Sequence, residues 1–230
     1  MGDAVIQALI FDFDGLILDT EWPDFRSWQE TYQAYGCTLS RAEWSRWIGT
    51  LGLFDPYAHL EEQLGRALDR AEVRALRRAR FHALMDGQQM LPGVQTMIDA
   101  ARQRGLQLGI ASSSPRAWVW GFLEPLGLSA TFDTVQCSDD VGATKPDPAA
   151  YLAALEALRV SARQAVALED SPNGVQAAKR AGLYCLAVPN SMTRGLVLDQ
   201  ADLQVDSLAD LSLDDLLTIE HSSRLQREGL

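Results

Sequence analysis

The chain has 230 residues, of which 47% are hydrophobic and 22% are charged, and its formal net charge is -11 at pH 7. This length and composition are typical of a globular protein with one large domain or two unequal ones. The acidic balance argues against a nucleic-acid partner, because nucleic acids require clustered lysine and arginine. A small anionic substrate is compatible with it, since a bound cation can reverse the local charge.

The cysteines and the N-terminal stretch indicate the cellular compartment of the protein. Cys37, Cys137 and Cys185 are scattered without paired spacing, which predicts reduced thiols. The stretch "MGDAVIQALIFDFDG" carries an early acid and lacks the basic and apolar regions of a signal peptide. No apolar run reaches membrane-spanning length. We therefore expect a cytoplasmic protein without a membrane partner. A monomer or a weak dimer is a separate expectation, which these features do not decide.

Five short apolar runs predict strands that are buried on both faces of a sheet. In chain order they are 8–11, 106–111, 134–137, 165–170 and 184–188. Helical segments with start and stop signals lie between them, including one that starts at Pro148 and one that starts at Pro172. Strands that alternate with helices predict a parallel, doubly wound α/β sheet.

The interval 20–89 breaks this alternation, because it contains no convincing strand. Its segments "FRSWQETYQAY", "RAEWSRWI", "PYAHLEEQLG" and "RAEVRALRRARFHALM" all have helical patterns. Roughly seventy residues of helix is far longer than a normal crossover connection. We therefore predict a helical domain at 20–89, inserted into a core formed by 1–19 and 90–230.

Polar side chains follow the predicted strands at the points where the strands end. Asp12 and Asp14 follow the first strand, Ser112 to Ser114 the second, Ser138 to Asp140 the third, and Glu169 and Asp170 the fourth. Ligands of open α/β sheets bind outside the carboxyl ends of the strands, so these clusters meet if the strands are neighbours. Two acidic pairs in one crevice repel each other unless a cation neutralises them. Oxygen donors without clustered histidine or cysteine favour Mg²⁺.

The same crevice would receive Lys145 from "ATKPDP" and the serine hydroxyls, and this set suits a phosphoryl group. Asp12 and Asp14 lie two positions apart on a strand and so share a face. One of them could act as nucleophile and the other as proton donor. The D-x-D pattern alone is more often a turn or a surface pair, but the other strand-end clusters favour the functional interpretation.

Four stretches, "FDFDGLILDT", "IASSSP", "TKPDP" and "LEDSPNGVQAAKRAG", occur in an order that resembles the signature motifs of the haloacid dehalogenase superfamily of phosphatases. The resemblance spans nearly the whole chain, and the helical insertion lies where one subgroup carries a cap domain. It implies a Rossmann-like core, a helical cap and dependence on Mg²⁺. The nearest well-known subgroup includes β-phosphoglucomutase and sugar-phosphate phosphatases.

The resemblance also implies a role for each matching residue. Asp12 would form an aspartyl-phosphate, and Asp14 would act as acid and base, with its backbone carbonyl on the metal. Ser112 would bind phosphoryl oxygens, and Lys145 would neutralise charge. The implied metal ligands are Asp12, Asp14, Asp170 and Glu169, the last directly or through water. The predicted substrate contacts are Thr20, Gly49, Ser113, Ser114 and Arg116.

Phosphoryl transfer is favoured over dehalogenation, because Asp14 can protonate an alkoxide leaving group. The mutase pattern has a histidine at the position of Asp24 and an arginine near Gly52, and this chain has neither. We therefore predict an Mg²⁺-dependent phosphatase that acts on a small phosphorylated metabolite, a sugar or polyol phosphate. The alternatives are a β-phosphoglucomutase-type transferase and a receiver-like module that accepts phosphate without turnover.

Several other side chains could have either a structural role or a role in substrate binding. At least three of Trp22, Trp28, Trp44 and Trp47 are expected to pack in the core of the helical insertion. Arg74, Arg77, Arg78 and Arg80 predict a solvated helix face, from which one arginine could meet a second anionic group of the substrate. Arg116 fits a phosphate contact and a surface position equally well.

Overall fold

A computed structural model of the chain describes residues 5–45, 48 and 54–229. At the centre of the described part is a parallel sheet of six strands. The strands are β1 (Ala8–Phe11), β2 (Gln107–Ala111), β3 (Thr134–Gln136), β4 (Ala165–Glu169), β5 (Tyr184–Ala187) and β6 (Leu203–Gln204). All five predicted strands are confirmed. The sixth escaped prediction because it is two residues long, too short for a recognisable apolar run.

Helices surround the sheet, and five of those in the described ranges lie between β1 and β2. They are α1 (Glu21–Ala34), α2 (Arg41–Ser45), α3 (Pro56–Leu64), α4 (Arg70–Met85), α5 (Val94–Gln103), α6 (Arg116–Leu123), α7 (Ser138–Val141), α8 (Ala149–Leu158), α9 (Pro172–Arg180) and α10 (Leu213–Glu228). Short 3₁₀ turns lie at Ala162–Gln164 and Leu208–Asp210. The predicted start of α9 at Pro172 is confirmed, with Ser171 as its cap, whereas α8 begins at Ala149, one residue after the predicted Pro148.

The central strand β1 shows why the sheet strands are apolar throughout. Its side chains alternate between the two faces, so Leu9 and Phe11 pack in one hydrophobic cluster and Ala8 and Ile10 in another. All four residues are completely buried. A strand covered by helices on both faces has no solvent-facing side, so polar alternation is absent. The predicted doubly wound α/β class is confirmed.

Helices α1 to α4, which we call the cap helices, have a hydrophobic cluster separate from the two on the sheet. Trp28, Tyr32, Leu60 and Val73 are members of this cluster. The starts of α3 and α4 are capped by Asp55 and Asp69, each of which accepts two backbone N–H groups. An inserted helical region is therefore confirmed, whereas the domain bounds at 20 and 89 stay a prediction.

The tryptophans of the insertion divide into buried and exposed members. Trp28 and Trp44 pack in the cluster of the cap helices, as predicted. Trp22 is 39% exposed and contacts Phe25, so it lies outside that cluster. Trp47 falls outside the described residues. Within the described ranges, every helix is too short or too polar to cross a lipid bilayer.

The strand order β3-β2-β1-β4-β5-β6 places a topological switch point between β1 and β4. The chain builds outward from β1 to β3 on one side and then returns to begin β4 on the other side. Phe11, the last residue of β1, is level with Ile110 of β2 and Leu168 of β4. The residues that follow these three strands therefore emerge at one edge of the sheet, where ligands of such sheets bind.

Candidate active site

A cavity of about 440 Å³ lies between this edge of the sheet and the cap helices. Its core side includes Asp12, Asp14, Ser114, Lys145 and Asp170, and its cap side includes Thr20, Asp24, Trp28, Trp44 and Arg77. The structure therefore brings together Asp12, Asp14 and Asp170, as their positions at strand ends predicted. The predicted convergence of Ser138 to Asp140 is wrong, because they follow the edge strand β3, which β2 separates from β1. Asp139 and Asp140 accept hydrogen bonds from Arg116 instead.

Lys145 joins the acids that follow β1 and β4. Its Nζ donates to Asp12 Oδ1 at 2.5 Å and to Glu169 Oε1 at 2.6 Å. All three side chains are buried, and the amine also lies 5.1 Å from the centre of the Tyr151 ring. Burial alone would lower the pKa of Lys145, but the two carboxylates outweigh burial and raise it. The lysine therefore remains charged beside Asp12.

The Glu169 carboxylate is held by several donors beneath the cavity. Its Oε1 also accepts the hydroxyl of Tyr151 at 2.8 Å. Its Oε2 accepts the N–H of Asp170 at 3.1 Å and both the N–H and the hydroxyl of Ser171 at 3.4 Å. Gly174, in the first turn of α9, makes room for this group, since a Cβ there would lie 1.9 Å from Oε2. Glu169 therefore supports Lys145 and does not line the cavity.

Asn190 holds Asp170, and sequence reasoning missed this residue. The amide nitrogen Nδ2 donates to Asp170 Oδ2 at 2.7 Å and to the carbonyl oxygen of Gly15 at 3.0 Å. The amide oxygen accepts the N–H groups of Met192 and Thr193, which fixes its orientation. The available signal was the position of "PNS" one residue after β5, the strand that neighbours β4.

Asp12, Glu169 and Asp170 form an acidic cluster in which one carboxylate oxygen from each residue lies within 4.8 Å of the others. Burial raises the pKa of Asp12 to about 7, against the opposing charge of Lys145 and with further repulsion from Glu169 and Asp14. Burial and the neighbouring carboxylates also raise the pKa of Asp170 well above its usual range. The single positive charge of Lys145 therefore does not offset the burial and mutual repulsion of these carboxyl groups.

The donors of the acidic cluster fit a divalent cation. Carboxylate and carbonyl oxygens are the ligands that Mg²⁺ prefers. Gly15 keeps the approach to Asp170 open, because a Cβ there would lie 2.6 Å from Asp170 Oδ2. Its φ of +82° is also a conformation that glycine adopts readily. A small residue at this turn is therefore required by both space and backbone geometry.

Asp14 faces the cavity and accepts three side-chain hydrogen bonds. Thr20 Oγ1 and Trp118 Nε1 each donate to Oδ1 at 2.8 Å, and Ser114 Oγ donates to Oδ2 at 2.5 Å. Thr20 was predicted as a substrate contact, which stays a prediction, and it lines the cavity. Trp118 was not singled out. The indole lies in α6 and packs against Phe81 of α4, at 5.3 Å between ring centres. These donors fix the orientation of the carboxylate toward the cavity.

The three serines after β2 occupy different environments. Ser113 and Ser114 line the cavity, whereas Ser112 is 1% exposed and lies behind them. Ser112 Oγ accepts the N–H of Ser114 at 2.9 Å, and Ser113 Oγ accepts the N–H of Lys145 at 3.1 Å. The predicted phosphate contact of Ser112 stays a prediction, while Ser113 and Ser114 have direct access to the cavity.

The predicted substrate contact Arg116 is not brought to the cavity. The guanidinium of Arg116 donates to both carboxylate oxygens of Asp140, at 3.0 and 2.7 Å, and to the carbonyl of Val135. It does not line the cavity, so the surface interpretation of Arg116 matches its position. Gly49 lies outside the described residues, as does Gly52.

Arg77 reaches the cavity, unlike a residue of a solvated helix face. Its guanidinium forms an ion pair with Asp24 and lies 5.4 Å from the centre of the Trp28 ring. Burial raises the pKa of Asp24, and Arg77 offsets part of this rise. Arg74 and Arg78 are exposed, in agreement with the predicted solvated face, whereas Arg80 is half-buried and donates to Thr31 Oγ1 at 3.0 Å.

Glu21 adds another carboxylate to the cap side of the cavity. Burial raises the pKa of Glu21 well above its usual range, and the charges of Asp14 and Asp24 add to the rise. The cap side therefore combines an excess of acids with the aromatic surfaces of Trp28 and Trp44.

Comparisons with known proteins agree with this geometry. The haloacid dehalogenase-like hydrolase family matches residues 9–188. The chain is 44% identical over 213 residues to YhcW from Bacillus subtilis (strain 168), provisionally named a phosphatase, which covers 93% of this chain and 97% of that protein. It is 33% identical over 220 residues to hexitol phosphatase B from Escherichia coli (strain K12), covering 92% of this chain and 97% of that protein.

A solved structure extends the agreement to three dimensions. CbbY from Rhodobacter sphaeroides, in complex with xylulose-(1,5)bisphosphate, has a TM-score of 0.76 and 33% sequence identity, covering 92% of this chain and 99% of that one. The predicted enzyme class, a phosphoric monoester hydrolase, is confirmed, and the receiver-like module is set aside. On the match over residues 9–188 and on these relatives, the chain belongs to the haloacid dehalogenase-like hydrolase family.

Proposed function

We propose that this enzyme is an Mg²⁺-dependent phosphatase that acts on a small phosphorylated sugar or polyol through an aspartyl-phosphate on Asp12. The observation that carries the proposal is the position of Asp12, which faces the cavity with Lys145 at 2.5 Å and Asp170 in the same acidic cluster. A carboxylate supported in this way is suited to attack a phosphoryl group. Hexitol phosphatase B and the bisphosphate complex of CbbY support a sugar-phosphate substrate.

The proposed reaction has two displacements at phosphorus. An oxygen of Asp12 attacks the phosphorus, and the bond between phosphorus and the ester oxygen of the substrate breaks. Asp14, which lines the cavity beside Asp12, would act as the acid that supplies a proton to the departing oxygen. Asp14 then takes a proton from a water molecule that attacks the phosphorus of the aspartyl-phosphate. Inorganic phosphate leaves and Asp12 is restored, so one water is consumed for each alcohol and phosphate formed.

Asp12, Asp170 and the backbone carbonyl of Asp14 would hold the Mg²⁺, with Asn190 orienting Asp170. Glu169 is better placed to support Lys145, because both of its oxygens already accept hydrogen bonds. When bound, the cation would neutralise the acidic cluster and withdraw charge from the phosphoryl oxygens. Lys145 supplies a second positive charge beside the nucleophile.

The mutase alternative finds no support among the described residues. Asp24 occupies the position of the mutase histidine, and its carboxylate is engaged by Arg77. We therefore propose hydrolysis, and conversion of β-glucose 1-phosphate to the 6-phosphate in the presence of a bisphosphate primer would decide for the mutase. A cytoplasmic location and a monomeric or weakly dimeric state stay predictions.

The test is phosphate release from p-nitrophenyl phosphate and from sorbitol 6-phosphate. Asp12→Asn should reduce turnover about a thousandfold or more, because removal of a nucleophile disables the whole catalytic unit. Asp86→Asn, an exposed acid at the end of α4, is the matched control and should keep the wild-type rate. EDTA should stop the wild-type enzyme, and Mg²⁺ should restore it. Full activity of Asp12→Asn would exclude the nucleophile, and turnover in EDTA would exclude the cation.

A further inference from the structure

The cap side of the cavity contains an ion pair that the chemistry at Asp12 does not use. Asp24 of α1 and Arg77 of α4 are paired there, with 36% and 18% of their side chains exposed. Both can therefore contact a molecule in the cavity. The guanidinium also lies over the rings of Trp28, at 5.4 Å, and Phe81, at 5.7 Å, which limits its freedom to reorient. The pair has no net charge but presents N–H donors beside carboxylate acceptors.

The charges around this pair disfavour a second phosphate. Among residues 5–45, 48 and 54–229, the cations that line the cavity are Arg77 and Lys145, and Lys145 is shared by Asp12 and Glu169. Arg77 is already paired with Asp24, so a second phosphate would have to share its guanidinium with that carboxylate. It would then lie beside two acids of the cap side, Asp24 and Glu21, and like charges in a partly buried site repel strongly.

A neutral hydroxyl meets neither obstacle. It can donate to the Asp24 carboxylate and accept from the Arg77 guanidinium, so both members of the pair keep a partner. The aromatic surfaces of Trp28, Trp44 and Phe54 complete the cap side of the cavity. An apolar wall with a few placed polar groups is typical of sites for small molecules, and it suits the C–H and O–H groups of a polyol.

We propose that the Asp24–Arg77 pair determines specificity by binding the hydroxyl groups of an uncharged sugar or polyol end, and so selects monophosphates over bisphosphates. This inference rests on the proposed phosphatase function and names the substrate class of the same site. It sets this chain apart from CbbY, whose structure contains a sugar bisphosphate.

The experiment compares kcat/KM for sorbitol 6-phosphate, fructose 1,6-bisphosphate and p-nitrophenyl phosphate. The wild type should prefer sorbitol 6-phosphate over the bisphosphate by about tenfold or more, as expected where a site must hydrogen-bond hydroxyl groups. Asp24→Asn keeps the shape of the side chain and frees the charge of Arg77, so this preference should fall about tenfold.

Arg77→Met keeps a long side chain over Trp28 but removes the donors. It should raise the KM for sorbitol 6-phosphate about tenfold more than the KM for p-nitrophenyl phosphate, which has no hydroxyl groups. Arg78→Gln, an exposed neighbour on the same helix, is the matched control and should leave all three substrates unchanged.

The pair also joins α1 to α4, so a purely structural role must be distinguished from recognition. Calorimetry measures the Kd of sorbitol 6-phosphate and of fructose 1,6-bisphosphate without turnover in Asp12→Asn. The same measurement on the double variant Asp12→Asn, Asp24→Asn shows whether the preference between the two ligands depends on Asp24. A wild type that prefers the bisphosphate, or an Asp24→Asn protein with an unchanged preference, would overturn the inference. The proposed function fails separately, if Asp12→Asn still hydrolyses p-nitrophenyl phosphate.

Discussion

Gly174 leaves the space that the Glu169 carboxylate occupies, so Gly174→Ala tests the buried charges beneath the cavity. A Cβ at this position would lie 1.9 Å from Oε2 and 2.0 Å from both Cδ and Oε1. Packed atoms do not approach so closely, so the carboxylate has to move. That movement weakens its hydrogen bonds from Lys145, at 2.6 Å, and from Tyr151, at 2.8 Å.

The expected magnitude follows from three opposing contributions. Alanine stabilises a helix relative to glycine by about 0.8–1 kcal/mol. Overpacking costs about 1–3 kcal/mol, and separating a buried ion pair costs up to about 3–5 kcal/mol. With the pair weakened but not fully separated, the net loss should be about 2–4 kcal/mol. For a chain of this length, that loss lowers the thermal midpoint by about 4–16 °C.

The assay is thermal unfolding followed by circular dichroism. Gly121→Ala is the matched control, since Gly121 lies in α6 and a Cβ there meets no atom within 4 Å. This control should be as stable as the wild type or more stable by up to about 1 kcal/mol. If Gly174→Ala unfolds at the same temperature as Gly121→Ala, the reasoning that fixes Glu169 in place is refuted.

Three further predictions concern other buried groups. Tyr151→Phe removes a donor to Glu169 and should lower the free energy of unfolding in urea by about 1.5–3 kcal/mol, whereas an unchanged value would make the hydroxyl dispensable. Trp118→Phe keeps an aromatic ring but removes the N–H donor to Asp14, so kcat should fall about tenfold while the thermal midpoint changes little; an unaltered kcat would contradict this role. Burial acts to raise the pKa of Asp202, but hydrogen bonds from a lysine, an arginine and a backbone N–H outweigh burial and hold it below its usual range. The stability that Asp202 contributes is therefore present above the unfolded pKa of about 3.9 and is lost at lower pH. The loss of unfolding free energy in Asp202→Asn should be full at pH 7 and shrink below about pH 4. A loss that stays constant with pH would count against this assignment.

The location of the candidate site could be predicted from the sequence, because the carboxyl ends of parallel strands lie at one edge of a sheet. The apolar runs before Asp12 and Asp170 marked strands, and their polar ends indicated one crevice. The sequence could not distinguish Ser112 from Ser113 and Ser114, since the turn after β2 decides which hydroxyl faces the cavity. The three are chemically identical neighbours.

Other residues of the candidate site could not be predicted, because their positions depend on packing between elements that are distant in the sequence. Asn190 reaches Asp170 because β5 lies beside β4, and Trp118 reaches Asp14 because α6 packs near the end of β1. Arg77 lies on a basic helix face whose pattern predicts exposure, yet its partner Asp24 is 53 positions away in the sequence. Whether a helix face is solvated depends on which helix covers it, and the helical period alone carries no such information.

The segment 190–193 connects the acidic cluster to the cap helices. Asn190 holds Asp170, while Met192, only 1% exposed, packs in the hydrophobic cluster of the cap helices. Arg41 of α2 also donates to the carbonyl of Ser191. These contacts connect the cap helices to Asp170, which we propose as a ligand of the cation. We expect reciprocal coupling, in which a substrate that repositions these helices alters Mg²⁺ affinity, and Mg²⁺ alters substrate affinity by the same factor.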